Sequence, residues 1–312
     1  PAPFPSDSHG CTDLQAMNNT CGLALLLLLA YAAAEKAEES QCQGGLYDAT
    51  ISADRLSGIA FGDLPGFTRS VLERDHALLT PESRVYSPMF GWKNSDGAFL
   101  VTPAVGAQFS MAIVNMREAS SSGLPSAGAE RFVFLLNGTA LVSGTGEESA
   151  LGSAGAFAYF PPDFDGGIRS AKGCNLLLFE RIYVPRARTS QDTEQPKFIV
   201  GNTEDQPNLD TPGEVFGLKK LLPASPEYDF NIHVMDFEPG QHLNVKELHY
   251  NQHGMIILQG KGIQRLSDRW YPVQAGDAMW MAPFVTQWYA ALGKTRTRYL
   301  LYKDVFRDPL LA

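Results

Sequence analysis

Three residues whose types and spacing could do chemistry lie in the stretch KELHYNQHGM. Glu247, His249 and His253 occupy positions i, i+2 and i+6. Successive side chains of a β-strand alternate between faces, so these even spacings predict that all three point to one side. A carboxylate and two imidazoles supply oxygen and nitrogen ligands, which suit manganese, iron, nickel, cobalt or zinc better than calcium or magnesium. No thiolate takes part, which disfavours a structural zinc site. The stretch therefore predicts a transition-metal centre, although each histidine alone could be an ordinary hydrogen-bonded residue.

The elements that position this stretch are predicted to be short β-strands. From about residue 80, apolar and alternating runs are separated by Gly, Pro, Asp and Asn, without a long amphipathic helical stretch. The 29 Gly and 20 Pro residues also favour a turn-rich protein. We expect an all-β fold.

This strand pattern occurs twice. The segment from Phe109 and the segment from Phe230, 121 residues later, both begin with an alternating strand, cross a Gly/Pro loop and enter an apolar strand. The later stretches SAGAFAYFPPDF and QAGDAMWMAPFV also correspond. A duplicated unit of about a hundred residues predicts two β-sandwich or barrel domains side by side. No histidine lies between His76 and His233, so the first copy cannot repeat the metal-binding constellation.

The duplication predicts where the domains begin and end. The first β-domain is expected at 80–187, without a metal site, and the second, with the metal and active site, at 215–312. The polar stretch 188–214 between them is expected to be a linker, and 35–79 an N-terminal extension.

The N-terminal region carries a candidate targeting signal. The apolar run Gly22–Ala34 is too short to span a bilayer and ends in small residues, which is typical of a secretory signal peptide. We predict a signal peptide at 17–34 that starts at Met17, with 1–16 not part of the natural protein. The mature chain would then enter the secretory pathway without a membrane span.

An oxidising compartment would permit two covalent modifications. Cys42 and Cys174 would be the cysteines of the mature chain, and they could form one disulfide if they meet. The sequon at Asn137 could be glycosylated if its turn is exposed.

The charge balance disfavours nucleic acid as a partner. A formal net charge of −9 and a pI near 5.2 leave no excess of Lys and Arg to displace counterions from a phosphate backbone. Hydrophobic residues make up 44% of the chain and charged residues 19%, which indicates a folded protein rather than a disordered one. A small-molecule substrate fits this composition better.

The stretch that carries Glu247, His249 and His253 is part of a longer sequence motif. Gly-x6-Glu-x-His-x3-His-x6-Gly runs from Gly240 to Gly260 and is followed by GDAMWMAPFVTQW. This arrangement resembles the two motifs of the cupin superfamily. Cupins often carry a histidine as the fourth ligand in the second motif, where this chain has Gln287. Gln287 is therefore the expected fourth ligand, binding through its amide oxygen.

The amino-acid sequence of the second copy resembles one family more closely. From roughly Gly44 to Leu310, and above all in LHYNQHGMIILQGKGI and QWYAALGKTRTRYLLYKD, the chain is similar to the plant (S)-ureidoglycine aminohydrolases, which are bicupins. The resemblance implies two tandem cupin domains and a Mn²⁺-dependent enzyme of the endoplasmic reticulum. It also implies hydrolysis of (S)-ureidoglycine to (S)-ureidoglycolate and ammonia in ureide catabolism, and assembly into a homo-oligomer.

The same resemblance suggests roles for individual residues. Glu247 could be both a metal ligand and a proton acceptor, since only one carboxylate oxygen need bind the metal. Alternation places Tyr299 and Lys303 on one face of the last strand, where the family's tyrosine and lysine contact substrate. A buried Lys303 would need an anion such as the substrate carboxylate, whereas a surface Lys303 would not. Gln264 stands where the related enzymes carry a substrate-binding tyrosine, and Met235 could line the pocket or simply pack.

Two other functions stay open at this point. One is another metal-dependent cupin reaction, catalysed by an iron dioxygenase or an isomerase. The other is a non-enzymatic storage-type bicupin, which has no need for a Glu, His, His and Gln set. Oxygen uptake would favour the dioxygenase, and absence of bound transition metal would favour the storage protein.

Overall fold

The computed structural model describes residues 66–144, 146–185 and 195–307. The candidate signal peptide, Met17 and Cys42 lie outside the described residues, so their assignments stay predictions. All described residues fall within one compact unit, Leu46–Ala312.

Within these ranges the chain forms β-strands joined by turns. Those of the N-terminal part are β1 (Val71–Leu72), β2 (His76–Leu79), β3 (Ser87–Pro88), β4 (Lys93–Val101), β5 (Ser110–Ser121), β6 (Ala129–Gly138), β7 (Ala140–Gly144), β8 (Glu147–Leu151), β9 (Ala156–Phe160), β10 (Gly166–Ser170), β11 (Cys174–Ile182) and β12 (Ile199–Asn202). Those of the C-terminal part are β13 (Gly217–Lys220), β14 (Phe230–Phe237), β15 (His253–Gln259), β16 (Lys261–Leu266), β17 (Arg269–Gln274), β18 (Ala278–Met281), β19 (Gln287–Leu292) and β20 (Thr297–Asp304). Short 3-10 turns lie at Pro81–Ser83, Pro103–Val105 and Thr203–Asp205. The all-β prediction is confirmed, and no helix in the described part of the chain is long and apolar enough to cross a membrane.

Antiparallel pairing of these strands gives three sheets among the described residues. The first copy forms a ten-stranded sheet of order β12-β9-β6-β11-β5-β10-β7-β8, with β4 added on β5 and β3 on β4. The second copy forms a seven-stranded sheet of order β1-β2-β18-β15-β20-β14-β13 and a three-stranded sheet of order β17-β16-β19.

Three strands come from segments that the sequence assigned to an extension and a linker, and β1, within 35–79, pairs with β2. β2, within 35–79, pairs with β18 of the second copy, so that His76 lies opposite Met281. β12, within 188–214, pairs with β9 of the first copy. Both segments thus contribute strands, and the domain boundaries stay predictions.

The apolar core consists of three clusters of buried residues. Strands of the second copy bury both of their faces, so each of them can contribute to two clusters. In β14, Ile232 and Val234 join a cluster that also contains Phe109 and Phe179 of the first copy. The alternate residues of β14, such as Phe237, point into the second copy's own interior. A third cluster fills the interior of the first copy. The two copies are therefore joined by a continuous apolar layer, in which the rings of Phe109 and Tyr302 stack at 4.0 Å between centroids.

The two modification candidates differ in exposure. Asn137 lies at the exposed end of β6, as a usable sequon requires. Cys174 is buried and is a free thiol among the described residues, and burial raises its pKa to about 11. Its pairing with Cys42 stays untested.

Candidate metal centre and substrate cavity

A cavity of about 270 Å³ opens in the interior of the second copy. One wall consists of side chains from β13, β14, β15, β18 and β20 of the seven-stranded sheet, and the other of side chains from β16 and β19 of the three-stranded sheet. Every candidate site residue named from the sequence except His249 lines this cavity. The lining residues are Phe216, Leu218, Lys220, His233, Met235, Leu243, Glu247, His253, Met255, Gln264, Met281, Gln287, Tyr289, Tyr299, Leu301 and Lys303.

The expected metal ligands are brought together, but not by one strand. Of Glu247, His249 and His253, only His253 lies in a strand, at the start of β15. Glu247 forms an isolated bridge with Gln287 of β19, in which each backbone N–H donates to the other's carbonyl at 2.9 and 3.0 Å. The backbone carbonyl of His249 accepts from the N–H of Phe284 at 2.8 Å. The prediction of one continuous strand is therefore wrong, because Glu247 pairs with β19 and His249 hydrogen-bonds to the turn between β18 and β19.

The ligand atoms of these four side chains nevertheless converge. His253 Nε2 lies 3.3 Å from His249 Nε2, and His249 Nε2 lies 3.7 Å from Glu247 Oε2. The amide nitrogen of Gln287 is 3.1 Å from His249 Nε2 and 3.4 Å from Glu247 Oε2. We call Glu247, His249, His253 and Gln287 the ligand quartet.

The quartet fits a transition-metal ion. Two ligands bound at about 2.1 Å and at right angles are about 3 Å apart, close to the separations found here. No group of three or more His, Cys, Asp or Glu side chains in the described ranges is arranged to hold an ion, and this includes Glu247, His249 and His253. A half-turn of the Gln287 amide would present the oxygen that a metal needs.

Hydrogen bonding and burial prepare His253 for this role. Its Nδ1 lies 3.2 Å from the carbonyl oxygen of Tyr302, which requires the proton on Nδ1 and leaves the Nε2 lone pair facing the quartet. Burial lowers the pKa of His253 well below its ordinary value, and the charge of Lys303 lowers it further. The imidazole is therefore neutral at physiological pH, as a ligand must be. His249 Nδ1 is buried without a hydrogen-bond partner among the described residues.

Lys303 and Tyr299 face the cavity, as the alternation along β20 predicted. Lys303 lies opposite His253 on β15 and Asn231 on β14. Burial lowers its pKa, the charge of Glu247 raises it, and the charge of Lys220 lowers it again. No ion pair to Lys303 occurs in the described part of the chain. Burial raises the pKa of Tyr299, and the nearby Glu247 carboxylate adds to this, so its phenol keeps its proton.

Gln264 and Met235 lie on opposite walls. Gln264, on β16, is 2% exposed, and its Oε1 is buried without a hydrogen-bond partner within the described ranges. Met235, on β14, lines the cavity and also packs in the second copy's core. Gln264 thus offers the cavity an unsatisfied acceptor, and Met235 offers an apolar surface.

Two cavity residues were not predicted from the sequence. His233 lies outside the spacing of the expected ligands, but it is buried and lines the cavity. Its separation of two from Met235 on β14 was the available signal, since such residues share a face. Lys220 was not singled out, because it lies at the end of a short strand, β13, whose position in the sheet is set by distant pairing.

Comparison with known proteins agrees with this fold. No family model matches the chain. It is 58% identical over 255 residues to the (S)-ureidoglycine aminohydrolase of Arabidopsis thaliana, covering 82% of this chain and 84% of that protein. It is 56% identical over 249 residues to a probable (S)-ureidoglycine aminohydrolase of Oryza sativa subsp. japonica, covering 80% of this chain and 79% of that protein. A solved structure, the putative glyoxylate-induced protein of Pseudomonas aeruginosa, superposes with a TM-score of 0.70 at 26% identity, covering 78% of this chain and 93% of that one.

The fold and its relatives thus define a bicupin, an all-β protein of two tandem cupin domains. More particularly, the chain belongs to the (S)-ureidoglycine aminohydrolase family, and it is a hydrolase.

Proposed function

We propose that this chain hydrolyses (S)-ureidoglycine to (S)-ureidoglycolate and ammonia, with Mn²⁺ held by the ligand quartet. One observation carries the proposal: three of the four side chains of the ligand quartet line the same cavity as Lys303, whose ammonium has no counter-ion among the described residues. The substrate is a small carboxylate, so the cavity offers both a metal site and a cation for the anion.

The proposed reaction replaces an amine by a hydroxyl at the α-carbon. An oxygen–carbon bond forms from water, the carbon–nitrogen bond breaks, and ammonia leaves. Bound Mn²⁺ would supply Lewis acidity that orients and polarises the reacting groups. Glu247 has a second carboxylate oxygen that can take the proton from water and pass it to the departing amine.

The other cavity residues would hold the substrate. Lys303 pairs with the carboxylate, which offsets the cost of a partly buried ammonium. Tyr299 donates its phenolic proton, and the unsatisfied Oε1 of Gln264 accepts an N–H of the ureido group. Gln264 can hydrogen-bond but cannot supply the phenol of a tyrosine, so its effect on affinity and turnover is a question for steady-state kinetics.

The proposal also covers the location of the protein in the cell and its assembly. The candidate signal peptide at 17–34 supports a place in the endoplasmic reticulum, within ureide catabolism. Assembly into a homo-oligomer is proposed on the resemblance to the family.

The experiment that tests the function measures ammonia release from freshly generated (S)-ureidoglycine. His249→Ala and His253→Ala should each abolish both Mn²⁺ retention and ammonia release. The matched control is His242→Ala, since His242 is exposed and lies outside the quartet. Oxygen consumption by the iron-loaded protein would instead support a dioxygenase, and a purified chain without transition metal or turnover would support a storage protein.

A further inference from the structure

A second lysine and a histidine share the cavity wall with Lys303. Lys220 ends β13 and lies opposite His233 on β14. His233 in turn lies opposite Leu301 on β20, two residues before Lys303. Since residues two apart on a strand share a face, Lys220, His233 and Lys303 present their side chains to one end of the cavity. We call these three residues the cationic end.

The cationic end carries more positive charge than the cavity neutralises. Glu247 is the one carboxylate among the described cavity-lining side chains, and it belongs to the ligand quartet. Within the described ranges neither Lys220 nor Lys303 has an ion pair or a hydrogen bond. Two ammonium groups at one end of a partly buried cavity repel each other unless an anion lies between them.

His233 adds a polar atom that also lacks a partner. Its side chain is 9% exposed, and its Nε2 is buried without a hydrogen-bond partner among the described residues. Burial, together with the charges of Lys303 and Lys220, lowers its pKa to about 3, so the ring is neutral at physiological pH. A neutral imidazole carries one N–H, which can donate to an anion in the cavity.

We propose that Lys220 and His233 complete, with Lys303, a carboxylate pocket that holds the substrate's carboxylate between two ammonium groups. The inference rests on the proposed function and deepens it, because it fixes which way the substrate lies. With the carboxylate at the cationic end, the ureido group extends toward Gln264 and Tyr289, whose Oε1 and hydroxyl are buried without partners in the described part of the chain. The α-carbon between them then faces the ligand quartet.

The pocket makes a prediction about specificity. It selects small 2-ureido carboxylates and rejects the corresponding amides, since a carboxamide leaves both ammonium groups without an anion. Lys220 is a binding residue in this arrangement, because the reaction requires no proton from it.

The test measures binding in the metal-free protein, so that neither turnover nor Mn²⁺ is required. The probes are N-carbamoylglycine, which is the substrate without its α-amino group, and N-carbamoylglycinamide, its neutral amide. Calorimetry should show that Lys220→Met weakens binding of the acid by about tenfold to a hundredfold, the usual loss for a hydrogen bond to a charged group. Binding of the amide should not change, and Lys220→Arg should keep most of the affinity for the acid.

The controls separate this inference from the proposed function. Lys261→Met removes an exposed lysine of the same copy and should leave both affinities unchanged. In the Mn²⁺-loaded enzyme, Lys220→Met should lower kcat/KM for ureidoglycine while metal content stays at the wild-type level. If the wild type releases ammonia but Lys220→Met binds the acid as tightly as wild type does, the carboxylate pocket is overturned and the function stands. If the wild type releases no ammonia, the function fails, and the acid-to-amide ratio still decides whether Lys220 binds a carboxylate.

Discussion

At the scale of single residues, the site is defined by polar atoms that the fold leaves unsatisfied. His253 is fixed through the Tyr302 carbonyl, while His233 Nε2, Gln264 Oε1 and the Tyr289 hydroxyl are buried without partners among the described residues. Buried polar atoms without partners are costly, so such a concentration in one cavity indicates that a ligand satisfies them.

Lys303 provides the residue-scale prediction. Lys303→Met keeps most of the side-chain volume but deletes the charge, so kcat/KM for ureidoglycine should fall by about tenfold to a hundredfold. Mn²⁺ content should not change, because Lys303 is outside the quartet. Steady-state kinetics on the Mn²⁺-loaded variant decides: unchanged efficiency would remove Lys303 from the substrate site, and lost Mn²⁺ would give it a role in supporting the metal.

At the scale of elements, the site depends on close approach between β16 and β19. Gln287 begins β19 and lies opposite Leu266 of β16. Four residues earlier on β16, Gly262 lies opposite Ala291. A Cβ added to Gly262 would come within 2.5 Å of the Ala290 carbonyl oxygen and would also contact the Tyr289 hydroxyl. The glycine therefore allows β19 to lie where it carries Gln287 and Tyr289 into the cavity.

Gly262→Ala tests this dependence. We expect a loss of about 1–3 kcal/mol in the free energy of unfolding, typical of an overpacked site, together with weaker Mn²⁺ binding. Gly152→Ala is the matched control, since nothing lies within 4 Å of an added Cβ there. Thermal unfolding and metal titration compare the two variants, and equal behaviour would show that β19 is not held by this contact.

The chemistry-bearing residues were predictable where the signal is local, and not where it depends on distant pairing. The quartet and the alternation of Tyr299 and Lys303 follow from motif and strand periodicity. Spacing alone could not show that Glu247 is held by Gln287, because the bridge joins residues 40 apart. The place of Lys220 likewise depends on where β13 joins the sheet.

The β-strands, like the site residues, were predictable only as far as local sequence patterns determine them. Duplicated strand patterns sufficed for the all-β fold. They did not show that β14 buries both faces, since that requires the first copy to pack against Ile232 and Val234.

At the scale of the whole molecule, buried ionic contacts join the first copy to the strand that carries Lys303. Arg181 of β11 donates to Tyr302 Oη at 2.8 Å and to Asp304 Oδ1 at 2.9 Å on β20. It also lies 3.3 Å from Asp229 Oδ2 and 3.8 Å from Glu130 Oε1. The first copy, although it lacks the metal ligands, thus helps to fix the backbone that orients His253.

Glu130 provides the whole-molecule prediction. Its side chain is fully buried, Tyr159 donates to its Oε2 at 2.5 Å, and burial, aided by the hydrogen bond and charge of Asp229, raises its pKa well above 4.5. The folded protein therefore keeps a proton that the unfolded chain releases near pH 4.5. Stability from this group is full below that pH and falls as pH rises toward the raised pKa.

Glu130→Gln should remove that part of the pH dependence, since an amide N–H takes the place of the carboxyl proton. Denaturant unfolding between pH 5 and pH 8 should show the wild type losing stability relative to the variant. Glu148→Gln, at an exposed carboxylate, is the control. Parallel stability curves for wild type and Glu130→Gln would show that Glu130 is ionised in the folded protein.

The central claim is that the ligand quartet holds the metal on which ureidoglycine hydrolysis depends. Titration of the metal-free chain with Mn²⁺, followed by the rate of ammonia release from (S)-ureidoglycine, tests it most directly. We predict that the rate rises in proportion to added Mn²⁺ and levels off at about one ion per chain, as for a single binding site. The His253→Ala variant should show no rise. Full turnover in the metal-free chain, or the same titration curve in His253→Ala, would contradict the account.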